Sequence, residues 1–355
     1  MTLTPAPSPL RGEGNGDATP TLGRPSPAPG TGEGTGARVL AVPSLAEIID
    51  ARKRITGAVL RTPLVRLNHD GPAEIWLKLE NLQPIGSFKI RGPVNAMRKA
   101  GKATLKSGVY TASAGNHAQG LAWAAREMGV PCTIIVPTHA PETKVNAITR
   151  MGATVVKWPL DDWWKVIQEH RAPNMAGRFI HPAADPDVIA ANGTVGLEIL
   201  EDLPDVDTVL VPWGGGGLAC GISAALRHRK SKAKVYACEV ETAAPLTASL
   251  KAGSAQQVDR KPSFIDGMGG KGVLPEMFPL AKELIAGTIV CSVAEIAGAL
   301  KLMVERNHVV AEGAGAAPVA AALSGKARGN NIVCIVSGGN IDAAVLARIL
   351  NGETP

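Results

Sequence analysis

Aromatic side chains are scarce: Phe, Trp and Tyr make up 3% of the 355 residues. Nucleic-acid binders gather Lys and Arg into a patch, often with aromatics interleaved. Here the basic residues are spread along the chain. The net charge of +6 at pH 7 therefore reads as a mildly basic enzyme surface that favours anionic ligands, and nucleic acid is not expected as a partner. Cysteine is also sparse. Cys132, Cys220, Cys238, Cys291 and Cys334 show no C-x-x-C spacing, and an odd, unpatterned set reads as reduced thiols of a cytoplasmic protein. No apolar run reaches the length of a membrane span. No basic segment followed by an apolar stretch opens the chain, so neither a membrane partner nor a signal peptide is expected.

Apolar residues, by contrast, amount to 45%, enough for a large core, and the length suggests two domains. Residues 1–43 stand apart. They are dominated by Pro, Gly, Thr and Ala and carry a weak repeat, in which Pro7-Ser8-Pro9 through Gly14 is echoed by Pro27-Ala28-Pro29 through Gly34. Such a segment cannot form a packed core and is expected to be a disordered tail whose removal leaves activity intact. The folded body is expected to begin at Ser44, which with Glu47 forms a helix capping box. Strand-like runs then alternate with helical patterns. The strands are Val109–Thr111, Cys132–Val136, Thr154–Val156, Thr208–Val211, Val235–Cys238 and Ile332–Val336. This alternation predicts an α/β fold of parallel sheets with helices on both faces. Ligands in such folds sit beyond the carboxyl ends of the strands.

Four segments at predicted strand ends carry chemistry. In Gly86-Ser87-Phe88-Lys89-Ile90-Arg91-Gly92 a lysine stands beside an aromatic between glycines. The plainer reading is a surface lysine opening a helix. A functional one needs a partner that traps the amine as an imine, such as pyridoxal phosphate, whose phosphate must be held nearby. The run Gly214-Gly215-Gly216-Gly217 supplies a cradle between a strand and a helix, where backbone N–H groups and the helix N-terminus favour an anion. It is not a P-loop, since no Gly-Lys-Ser/Thr follows. Ser113-Ala114-Gly115-Asn116-His117 also precedes a helix and exposes backbone N–H groups suited to a carboxylate. His117 is as well explained by helix packing as by catalysis. Ser337-Gly338-Gly339-Asn340 places a hydroxyl at a strand end, where it can satisfy a ring nitrogen.

Together these segments resemble the fold-type II pyridoxal-phosphate enzymes, whose fold is like that of tryptophan synthase β, and within them the serine/threonine dehydratase (threonine ammonia-lyase) and serine racemase group. The resemblance covers about residues 44–350. It implies a large cofactor-binding domain of residues 44–107 and 185–355 with a small domain of residues 108–184, twisted parallel-rich sheets flanked by helices, and a homodimer. It implies that Lys89 holds pyridoxal 5'-phosphate with Phe88 near the ring. Asn116 bonds the ring hydroxyl, Gly214 to Gly217 hold the phosphate, and Ser337 faces the pyridine nitrogen. Ser113 to His117 take the substrate carboxylate. The implied reaction is β-elimination from L-threonine or L-serine to a 2-oxo acid and ammonia. Close variants act on a hydroxyaspartate, phenylserine or a compatible-solute intermediate. Racemases of the group carry a serine at the position of Ala114, and an alanine cannot transfer a proton, so racemisation is disfavoured. A non-catalytic binding protein is opposed by the intact Lys89, Ser337 and glycine loop. Glu312 matches a family glutamate near the cofactor, with a structural hydrogen bond an equal reading. Glu239 and Ala243 match a family metal site, but Pro245 stands where a carboxylate is expected, so no metal is assigned. Ala183 and Ala191-Asn192-Gly193-Thr194 also depart from the family pattern.

Overall fold

The computed structural model describes residues 40–355. Two sheets organise them. Strands β1 (Leu64–Arg66), β2 (Glu74–Lys78), β7 (Thr208–Pro212), β8 (Lys234–Val240), β9 (Gly287–Cys291) and β10 (Asn331–Ile335) form one, in the order β1-β2-β10-β7-β8-β9. Only β1 runs antiparallel to its neighbour. Strands β3 (Val109–Ala112), β4 (Cys132–Pro137), β5 (Thr154–Trp158) and β6 (Arg178–Phe179) form the other, ordered β5-β4-β3-β6 and parallel throughout.

The strands that sequence reading singled out recur within a residue or two, and for the most deeply placed of them the reason is burial on both faces. All five residues of β7 and all four of β3 are buried, so these strands read as continuous apolar runs rather than alternating ones. Successive side chains enter opposite cores. Val209 and Val211 join the layer under α6 (Pro186–Asp202), α7 (Gly217–His228) and α9 (Phe278–Leu284). Leu210 faces α10 (Val293–Asn307), α11 (Gly313–Leu323) and α12 (Ala343–Leu350). In the smaller sheet Val109 and Ile134 pack against α2 (Arg91–Ala100), α3 (Asn116–Met128) and α4 (Glu142–Arg150), whereas Tyr110 and Ile135 meet α5 (Leu160–Glu169).

Helix α1 (Leu45–Ile55) opens on the expected box. Ser44 Oγ accepts from the Glu47 N–H at 3.3 Å, and Glu47 accepts from the Ser44 N–H at 2.8 Å. The remaining helix, α8 (Pro245–Ala252), follows β8. The expected disordered tail falls, for residues 1–39, outside the described residues. Within residues 40–43, Ala41 is exposed, but Leu40 is buried in the core and Pro43 is buried with its carbonyl 3.0 Å from His228 Nε2. No helix among the described residues is long and apolar enough to cross a membrane.

Candidate active site

Lys89 lies in a short 3-10 turn, Phe88–Ile90, between β2 and α2. Ser87 caps that turn, its Oγ accepting from the Lys89 N–H at 3.4 Å. The end of β10 holds the same turn from the other side: Ser337 O accepts from the Phe88 N–H at 3.0 Å and from Ser87 Oγ at 3.2 Å. Helix α3 presses on it from a third direction. A Cβ at Gly120 would stand 2.5 Å from Lys89 O, so only glycine lets the helix come this close. The Lys89 Nζ donates to Pro182 O at 2.7 Å and lies 5.1 Å from the centre of the Phe88 ring. Burial lowers its pKa to about 8, with Glu312 pulling the other way.

The glycine run lies between β7 and α7, as its spacing predicts. Gly216 has φ +88°, and a Cβ there would stand 2.5 Å from the Trp213 ring. A Cβ on Gly215 would meet Ala183 Cβ at 2.4 Å, and one on Gly217 would meet Ala183 O at 2.8 Å. From Gly215 to Gly217 the loop is thus packed against Ala183 and Trp213 with no room for side chains, whereas a Cβ at Gly214 would come no nearer than 3.5 Å to Gly267 O. Ser337, Phe88 and Lys89 are joined directly, and Pro182-Ala183 links them to the loop.

Asn116 starts α3 and is pinned at both ends. Its Nδ2 donates to Glu312 Oε1 and Oε2 at 2.9 and 3.0 Å, and its Oδ1 accepts from Asn340 Nδ2 at 2.8 Å. Glu312 is buried beside Gly338 and Gly267, where a Cβ would come within 2.8 and 2.9 Å of Oε1. Burial raises its pKa to about 7, partly offset by the Asn116 amide. The Ser113 hydroxyl accepts from the Gly115 N–H at 3.3 Å. A Cβ at Gly115 would meet nothing within 4 Å, so the backbone there fronts open space. Ala114 packs against the core of the smaller sheet. His117 is buried with Nε2 3.1 Å from Ile180 O and with Nδ1 buried without a hydrogen-bond partner. Burial, then the charge of Lys89, brings its pKa down to about 3.

Sequence reading missed His181, Pro182, Lys144 and Asp266, and gave Asn340 no role. Lys144 on α4 pairs with Asp266, next to Gly267. No local pattern marks Lys144, Asp266 and Pro182, because each acts on a partner far along the chain, whereas His181 bonds its own neighbours Ala183 and Ala184. Glu239 is committed elsewhere: its carboxylate accepts from the Leu246 and Thr247 N–H groups at 2.7 and 2.8 Å and from Thr247 Oγ1 at 2.6 Å, capping α8.

A family model described as pyridoxal-phosphate dependent enzyme matches residues 55–338. The L-threonine ammonia-lyase of Thermotoga maritima is 41% identical over 317 residues, 87% of this chain and 78% of that protein. The catabolic L-threonine dehydratase of Escherichia coli K12 is 36% identical over 86% of this chain and 95% of its own. Among solved structures, serine racemase from Dictyostelium discoideum superposes with a TM-score of 0.75 at 35% identity, over 85% of this chain and 100% of its own.

Proposed function

Because the chain belongs to the family of pyridoxal-phosphate dependent enzymes, we propose that it removes water and then ammonia from a small 3-hydroxy amino acid, L-threonine or L-serine, leaving a 2-oxo acid. The observation that carries this reading is the Lys89 amine. It meets a neutral carbonyl rather than a carboxylate, and its pKa of about 8 puts the free base within reach at ordinary pH.

The residues fit the cofactor. The loop of Gly214 to Gly217, which tolerates no Cβ at its last three positions, is set at the N-terminus of α7 where a phosphate is favoured. Pyridoxal phosphate, held through its aldehyde carbon on the lysine amine, would draw off negative charge developing at the substrate Cα. The chain's own residues do the rest. Lys89, freed once the substrate amine takes its place, would accept the Cα proton. Ser337 would face the ring nitrogen and, as a hydroxyl, would place no full charge there. Ser113, Ala114, Gly115, Asn116 and His117 would hold the substrate carboxylate at the start of α3, and Asn116 would give up part of its bonding to Glu312 to reach the ring hydroxyl. Phe88 would flank the ring. The methyl of Ala114 cannot carry a proton to the other face of Cα, which favours elimination over racemisation.

The names of the Thermotoga and Escherichia relatives support threonine as substrate. The two sheets support a division into a large domain of residues 44–107 and 185–355 and a small one of residues 108–184. The reading extends to a homodimer in the cytoplasm. Leu60, Leu82 and Val310 are exposed apolar side chains available to a second copy.

Lys89→Ala tests the proposal. We expect loss of the visible absorbance of bound cofactor and a fall in ammonia release of about a thousandfold or more. A variant that kept either would sink it. Release of 2-oxo acid across a panel of 3-hydroxy amino acids decides the substrate.

A further inference from the structure

The turn His181-Pro182-Ala183-Ala184 touches both the lysine and the glycine loop. The Pro182 carbonyl accepts from the Lys89 Nζ at 2.7 Å. Ala183 fills the space that Cβ atoms on Gly215 and Gly217 would need. The turn is itself held by one side chain: His181 Nδ1 accepts from the Ala183 N–H at 2.9 Å and from the Ala184 N–H at 2.7 Å.

A ring nitrogen accepts a hydrogen bond only when it bears no proton. Two backbone donors on Nδ1 therefore assign the tautomer: His181 is neutral, with its proton on Nε2. The ring cannot swing away. It is 2% exposed, stacks on His170 with centroids 4.3 Å apart and planes at 22°, and meets the Phe179 ring edge-on at 5.9 Å. His170 is braced in turn by Glu276 Oε1, 2.8 Å from its Nε2.

We propose that His181, as the neutral Nε2–H tautomer, is a positioning residue that fixes the 182–184 turn and, through it, both Lys89 and the glycine loop. The inference rests on reading Lys89 as the cofactor lysine. A proton on Nδ1 would set an N–H against two N–H groups and force the turn open. The surroundings oppose that. Burial lowers the pKa of His181 well below its usual value, and the charges of His170, His117 and Lys89 add to the effect against the Ile167 backbone, while Nε2 is buried and makes no hydrogen bond. A histidine kept solely for packing would have no need of a particular nitrogen at this point, and that distinction can be measured.

The test uses the full chain and three substitutions. In His181→Asn the side-chain oxygen stands at the same reach from Cβ as Nδ1 and can accept both bonds. His181→Leu has no acceptor, and His181→Gln carries one a bond too far out. We expect the Leu and Gln variants to bind pyridoxal phosphate about tenfold or more weakly and to shift the pH midpoint of the bound cofactor's absorbance. We expect His181→Asn to stay within about threefold in affinity with an unshifted midpoint. If the Leu variant does not fold, the Asn and Gln pair decides alone. Nitrogen-15 spectra of the wild-type apoenzyme should show an unprotonated Nδ1 and a protonated Nε2 in a buried histidine that is missing from the spectra of His181→Asn. The proposal fails if that signal has its proton on Nδ1. It also fails if Asn is as impaired as Gln, or if Gln binds cofactor as the wild type does. Borohydride reduction followed by peptide mapping tests the Lys89 reading separately. Were the cofactor found on another residue, the apoenzyme spectrum would still decide the tautomer, while the link to Lys89 would fall.

Discussion

Two buried lysines on adjoining segments are treated in opposite ways. Lys78, at the end of β2, is fully buried; its amine lies 2.7 Å from Glu198 Oε2 and donates to the Thr62 carbonyl at 2.6 Å. Around it, Arg91 bonds both oxygens of Glu80 at 2.7 and 2.8 Å and both of Glu198 at 2.7 and 3.1 Å. Burial alone would discharge these groups. Against it, Glu80 and Glu198 hold the Arg91 pKa above its ordinary value, and Arg91 holds that of Glu80 below. Lys89 and Glu312 are answered mainly by dipoles, the Pro182 carbonyl and the Asn116 amide. There burial prevails, and both pKa values move toward the neutral form, to about 8 and about 7. Burial with counter-charges makes a permanent charge that fixes a frame. Burial against dipoles makes groups that trade protons near neutrality.

The largest effect should come from breaking the paired side. Arg91→Met leaves Glu80 and Glu198 buried with one cation, Lys78, between them. It should cost about 3–5 kcal/mol of unfolding free energy, measured by denaturant titration of the apoenzyme. Adding Glu80→Leu to Arg91→Met should recover part of that loss, because an uncompensated charge costs more than an absent pair. A double variant less stable than the single one would overturn the account of this cluster.

On the other side the sign reverses. In the unfolded chain Glu312 gives up its proton near pH 4.5, and in the folded chain near 7. As pH rises between those values the folded state holds the extra proton, so stability falls, and the loss is constant above 7. Glu312→Gln should therefore stabilise the apoenzyme above pH 7 by up to about 3 kcal/mol, with no gain below 4.5. Thermal melts across that range check it; a gain independent of pH would point to packing instead. Lys89 supplies a third measurement. On the proposed reading its neutral amine captures the cofactor, so capture by apoenzyme should quicken about tenfold per pH unit and level off above pH 8. A flat profile would mean that the amine is already neutral at lower pH.

The two clusters also differ in how far sequence alone could reach them. The parallel α/β architecture was legible because its doubly buried strands are unbroken apolar runs between turn residues. The loops at strand ends were legible as well, since a lysine between glycines and four glycines before a helix are local patterns. The partners were not. Pro182 is 93 residues from Lys89, Glu198 is 107 from Arg91, and Glu312 is 196 from Asn116. No periodicity joins residues across such distances; only the order of strands in the sheets does. The antiparallel edge strand β1 escaped notice too, being three residues long and only partly buried. His181 was hidden for a different reason, because its role depends on which ring nitrogen carries the proton.

The smallest effect should come where the second cluster meets solvent. Asn340 donates to Asn116 Oδ1 at 2.8 Å and to Ile85 O at 2.9 Å, and it is exposed. In Asn340→Ala, water can take over both acceptors, so the net loss is that of an ordinary hydrogen bond, about 1 kcal/mol or less. Asn116 would still donate to Glu312 but would lose its second anchor. KM for the amino acid should then rise by about threefold with kcat almost unchanged, since orientation at the carboxylate loop suffers while Lys89 does not. Asn116→Ala should do more, for it strips Glu312 of both hydrogen bonds and should raise that carboxyl's pKa further. If the two alanine variants proved equal, Asn340 rather than Glu312 would be the anchor of Asn116, and the dipole-answered cluster would reach to the protein surface.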